Sequence, residues 1–162
     1  KGLVQWAIEN WPSQLPTLRG SFHKNEELNY FKGSCGRGEV LILIGNARET
    51  LKKASKFGMV SDFDAIFQDP FSPKRNPSLW TVEWFEDLKK ASSSEVTLST
   101  YSSSTSVRKS LQAAGWFMKN APGFSSKRTS TRAFLKGPSD PDVLDKLKRA
   151  PINPLRDEEN ET

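Results

Sequence analysis

The chain has 162 residues, 35% hydrophobic and 27% charged, with a net charge of +5. That length suits one domain with a buried core. The longest apolar run, Val40–Ile44, falls far short of the roughly 20 residues a membrane helix needs. No secretory signal pattern opens the chain, and a single cysteine, Cys35, excludes an internal disulfide and fits a reducing, cytoplasmic setting. Charge is unevenly placed. Arg156–Thr162 holds one basic and four acidic residues, or −3, which leaves +8 on the rest. A basic body of this kind suits a polyanionic partner.

Gly2–Asn10 reads as a short helix. Leu28–Phe31 and Glu39–Ile44 flank a turn containing Gly33, Gly36 and Gly38 and can form a hairpin over 28–45. Glu39–Ile44 (EVLILI) also reads as a strand buried on both faces, the first of an α/β series. Ala47, Leu51 and Ala54 recur at helical spacing within Ala47–Phe57. Phe63–Phe67 (FDAIF) is the next strand. Asn76 followed by Pro77 marks a helix start, with Asn as N-cap and Pro in the first turn. Val96–Tyr101 is a strand, and Val107, Leu111 and Ala114 mark a helix closed by Gly115. Trp116–Asn120 and Arg132–Leu135 follow as strands with no helix between them, so they pair antiparallel. Residues 1–137 therefore read as one α/β domain with a largely parallel sheet. Residues 138–162 read as a proline-punctuated tail, acidic at its end, with a possible helix over Val143–Arg149.

In such sheets ligands sit beyond the C-terminal ends of the parallel strands. Three loops qualify: Gly45–Asn46–Ala47, Gln68–Asp69–Pro70–Phe71 and Tyr101–Ser102. Asp69–Pro70–Phe71 is the most informative. A carboxylate can accept an amine N–H and aim the nitrogen, or take up its proton. An aromatic can stack on a base, and proline stiffens the loop between them. As a bare tripeptide it is equally a turn in which Asp bonds its own backbone.

The longer segment DAIFQDPFSPKRNPSLW, Asp64–Trp80, is more specific. From Asp69 through Lys74, Arg75, Asn76 and Pro77 to Trp80–Thr81, it resembles the tRNA 5-aminomethyl-2-thiouridine methyltransferases, the methyltransferase half of MnmC-type enzymes. The likeness continues through Leu98–Arg108 and Leu111–Gly115 and returns at Pro122–Gly123–Phe124 and Lys127–Arg128. It is strong over Asp62–Gly137 and weak over Trp6–Phe57. The resemblance implies a Rossmann-like sheet of family strand order 3-2-1-4-5-7-6 and S-adenosyl-L-methionine as methyl donor. It implies that Asp69 orients or deprotonates the target amine and that Phe71 contacts the base. It places Gly45, Asn46 and Ala47 at the family's Gly-Asp-Ala position near the cofactor adenine, with Asn46 in place of Asp, and Asp69 and Tyr101 near the cofactor. Lys74, Arg75, Lys127, Arg128 and Arg132 would hold tRNA phosphates.

The family's glycine-rich cofactor loop and the acidic residue after the second strand have no counterpart here. Family strands 1 and 2 are therefore expected to be missing, and the chain is expected to be an N-terminally truncated piece that binds cofactor poorly. No FAD domain and no metal site are expected: His23 stands alone. Trp80, Trp84 and Trp116 are expected in the core. Two rival readings stay open, a non-catalytic RNA-binding remnant and an amine methyltransferase acting on another substrate.

Overall fold

The computed structural model describes residues 2–123 and 129–157. The chain divides into two compact units, 1–59 and 60–162. Each is described by itself.

The first unit contains helix α1 (Gly2–Glu9), strands β1 (Leu18–Lys24), β2 (Asn29–Cys35) and β3 (Gly38–Leu43), and helix α2 (Ala47–Lys56). The strands form an antiparallel meander in the order β1–β2–β3. Asn25 closes the first turn, its side-chain oxygen accepting from the backbone N–H groups of Glu27 (2.9 Å) and Leu28 (2.7 Å). The second turn has only Gly36 and Arg37 between the strands, with Gly36 at φ +61. A positive φ at the first of two central residues is what a type II′ hairpin requires. Gly20 and Gly33 face each other across β1 and β2. A Cβ on Gly20 would stand 2.6 Å from the Phe31 ring, and one on Gly33 would stand 2.2 Å from the Arg19 carbonyl oxygen. The bare backbone lets Phe31 lie buried against the sheet, edge-on to Phe22 at 5.4 Å.

Here the hairpin expectation holds and the parallel-strand expectation fails. Glu39–Ile44 is half-buried from Val40 onward and exposed at Glu39, pairs antiparallel with β2, and belongs to a different unit from the strands expected beside it. A two-residue turn leaves no room for the crossover that a parallel pair needs. Strand β1 was not foreseen, because LRGSFHK offers only Leu18 and Phe22 as apolar positions.

The second unit is built on a four-stranded sheet. Its strands are β4 (Phe63–Phe67), β5 (Ser92–Thr100), β6 (Phe117–Pro122) and β7 (Thr129–Phe134), in the order β4–β5–β7–β6. This is the 4-5-7-6 end of the expected family sheet. Only β4–β5 is parallel; β5–β7 and β7–β6 are antiparallel. The sheet is therefore mixed, not largely parallel, because β7 returns from its hairpin and inserts between β5 and β6. Val96, Leu98, Met118 and Ala133 are buried, as are Val82, Phe85 and Leu88 of α3 (Val82–Lys90) and Val107 and Leu111 of α4 (Thr105–Ala113). Trp80, Trp84 and Trp116 lie in this core as expected.

The helix expected from Asn76 forms in two steps. A 3-10 turn over Pro77–Leu79 comes first, in which Asn76 makes no capping bond. Helix α3 then starts at Val82 with Thr81 as N-cap, its hydroxyl accepting from the Trp84 N–H at 3.2 Å. Gly115, at φ +84, ends α4, and the Trp116 N–H reaches back to the Leu111 carbonyl. Residues 138–157 are tied to the rest of this unit. Helix α5 (Pro141–Arg149) buries Val143 and Leu147. Leu155 then exchanges backbone bonds with the Ser110 hydroxyl and the Val82 N–H, and Arg156 pairs with Glu83 at 3.0 Å.

Candidate active site

The C-terminal ends of β4 and β5 open onto a cleft of about 400 Å³. Asp69 and Tyr101 line it from the two strand ends, and Phe67, Ser99 and Arg132 line it from the sheet. Register explains the grouping, since Ser99 is the partner of both Phe67 and Arg132. Ala121, Pro122 and Ser130 supply the far wall from the β6–β7 hairpin. Three residues foreseen at separate points of the sequence, Asp69, Tyr101 and Arg132, thus meet in one cleft. Asp69 is exposed and its carboxylate makes no hydrogen bond among the described residues.

The loop that carries Asp69 is held at both ends. The Gln68 N–H donates to the Ser99 carbonyl (2.9 Å), and its buried side-chain amide donates to the Leu79 carbonyl (2.7 Å). The indole N–H of buried Trp80 donates to the Phe71 carbonyl at 2.8 Å. These bonds fix the backbone on either side of Asp69 while the Phe71 ring stays 72% exposed. Phe71 does not line the cleft. Lys74 and Arg75 are exposed further along the same loop. Lys127 and Arg128 lie outside the described residues.

A buried arginine braces the opposite wall. Arg108 of α4 donates from Nε to Thr131 Oγ1 (2.9 Å) and from Nη2 to Asn120 Oδ1 (3.0 Å) and the Ser130 carbonyl (3.3 Å). Thr131 in turn donates to the Ser102 carbonyl at 2.7 Å. Burial holds the guanidinium below the usual arginine range, against the opposing attraction of Asp140. Neither Arg108 nor Phe67, which is 87% exposed at the cleft, was singled out from sequence. Phe67 was legible only through strand alternation, which leaves one face open once the sheet is known to be uncovered there.

Gly45, Asn46 and Ala47 lie at the end of an antiparallel strand, not the parallel one expected, and begin α2. The Asn46 side-chain oxygen caps that helix, accepting from the Arg48 N–H at 3.0 Å. Gly45 and Asn46 line a cleft of about 240 Å³ within the first unit, together with Asn29 and Glu49.

Residues 8–136 match the family described as S-adenosyl-L-methionine-dependent methyltransferases. The chain belongs to that family. Among curated relatives of this methyltransferase chain is the tRNA 5-methylaminomethyl-2-thiouridine biosynthesis bifunctional protein MnmC of Pseudomonas syringae pv. syringae. It is 35% identical over 144 residues, covering 85% of the chain and 21% of that protein. The protein of the same name from Aromatoleum aromaticum is 36% identical over 124 residues, covering 76% and 17%. The crystal structure of MNMC2 from Aquifex aeolicus superposes with a TM-score of 0.67 at 30% identity, covering 99% of this chain and 47% of that one. The chain thus spans about a fifth of those curated relatives and about half of the structural neighbour.

The cleft residues fit the reacting end of the family's donor. The rings of Phe67 and Tyr101 and the carboxylate of Asp69 are groups that suit a cationic sulfonium. The Asn46 side-chain oxygen keeps a second lone pair after capping α2.

Proposed function

We propose that this chain methylates the exocyclic amine of 5-aminomethyl-2-thiouridine at the tRNA wobble position. The observation that carries the reading is the unpartnered Asp69 carboxylate, set on a doubly pinned loop in a cleft with Tyr101 and Arg132. S-adenosyl-L-methionine would supply a methyl group on a positively charged sulfur. Asp69 accepts the amine N–H, aims the nitrogen lone pair, and receives the proton the nitrogen sheds. The exposed Phe71 ring stacks on the base. Tyr101 contributes to the cofactor side of the cleft. Lys74, Arg75 and Arg132, with Lys127 and Arg128, hold tRNA phosphates.

The test is methyl transfer from labelled S-adenosyl-L-methionine to tRNA carrying 5-aminomethyl-2-thiouridine, with Asp69→Asn alongside. Turnover should fall by about two orders of magnitude or more in the variant, with circular dichroism unchanged. Full turnover by Asp69→Asn would remove the role given to that residue. Binding of tRNA without any methyl transfer would favour a non-catalytic RNA-binding protein, and transfer to another amine would change the substrate.

A further inference from the structure

We infer that the outward face of the β1–β2–β3 sheet is a second RNA-binding surface, one that grips the tRNA backbone and stacks on an unpaired base. The inference rests on the reading that the substrate is tRNA. Directly paired residues share a face of an antiparallel sheet. One face carries Phe22 and Phe31, which pack on each other. The opposite face carries the cross-strand rows Arg19–Ser34, Ser21–Lys32 and His23–Tyr30. On this face Arg19, Ser21, His23 and Lys32 are all exposed.

Three features make this face suited to RNA. First, the His23 and Tyr30 rings stack at 5.0 Å and 15°, and the Ser21 hydroxyl lies 3.0 Å from His23 Nε2, steadying the ring. A ring stack with an exposed member can be extended by a base, since every base has a π-face. Second, Lys32 lies one row from this stack and Arg19 two rows from it, and neither is in an ion pair among the described residues. Exposed cations without carboxylate partners are available to phosphates. Third, the unit that carries this face is basic: residues 1–59 contain nine Lys and Arg against five Asp and Glu, or +4. From β3 the same face carries Glu39, in the row of Arg19 and Ser34 at the hairpin end, and the half-buried Leu41 and Leu43 beside Lys32 and Tyr30. That leaves the His23 end of the face to the incoming strand. A polyanion with stackable bases meets both properties at once, which neither an apolar nor an acidic protein surface does.

The experiment is fluorescence anisotropy with a labelled tRNA that carries a wobble uridine, across a series of salt concentrations. The double variant Arg19→Ala/Lys32→Ala should bind about tenfold more weakly and lose about 2 from the slope of log affinity against log salt. His23→Ala should weaken binding about fivefold with the slope unchanged, because stacking releases no counterions. Lys146→Ala/Lys148→Ala, which removes the same charge from exposed positions on α5, should leave both quantities nearly unchanged. All three sets alter exposed side chains, so folding is checked by circular dichroism. Unchanged affinity and slope in Arg19→Ala/Lys32→Ala would overturn the inference and leave the proposed function standing. An equal effect from the α5 pair would also overturn it, as diffuse attraction. No binding by the unaltered protein at any salt would overturn both.

Discussion

Single side chains explain why the Asp69 loop can stay exposed and yet hold one shape. Trp80 is 2% exposed, and its indole N–H donates to the Phe71 carbonyl. Trp80→Phe keeps an aromatic in the core and removes that donor. It should cost about 1–2 kcal/mol in urea unfolding, part from the lost bond and part from lost volume. Turnover should fall more than the affinity for tRNA, because Asp69 loses its fixed position. An unchanged ratio between the two would mean that the indole serves packing alone. Asp69 itself was legible from sequence because its neighbours form a long motif. Trp80 was placed in the core, but its bond to the loop was not foreseeable. A hydrogen bond nine residues away along the chain depends on how the intervening 3-10 turn is wound.

At the scale of elements, Arg108 ties α4 to the β6–β7 hairpin and, through Thr131, to the loop after β5. A buried cation with three bonds is costly to lose once its partners have been arranged around it. Arg108→Met should destabilise the protein by about 3 kcal/mol, because Thr131, Asn120 and the Ser130 carbonyl lose a charged donor. Thermal unfolding monitored by circular dichroism checks this, and a loss under about 0.5 kcal/mol would refute the bracing role. Most helices and strands were readable as pieces. The strand Phe63–Phe67 matches its expected bounds, and Gly115 ends α4 as expected. The start of α3 was misplaced by five residues because Asn76–Pro77 is a helix-start signal in either an α- or a 3-10 helix. The competing cap, Thr81, is used instead.

For the whole molecule, the division at residue 59 carries its own consequence. Gly33→Ala places a Cβ 2.2 Å from a backbone carbonyl in β1. The strands must part, at about 1–3 kcal/mol or more. Hydrogen exchange followed by mass spectrometry should show amides of β1–β3 losing protection while those of β5–β7 keep theirs. Equal loss in both would mean that the two units unfold as one cooperative body.

The sequence alone carried the family and most local elements, and it singled out the Asp69 loop. Those depend on residues adjacent in the chain: hydrophobic period, caps, turn glycines and a contiguous motif. Tertiary structure alone decided that Glu39–Ile44 pairs antiparallel in its own sheet, and that β7 inserts between β5 and β6. It also decided that Phe67, Arg132 and Tyr101 meet beside Asp69. Strand partnership and register are set by which distant segments exclude water together. A strand's own residues fix its two faces but not the neighbour it will pair with.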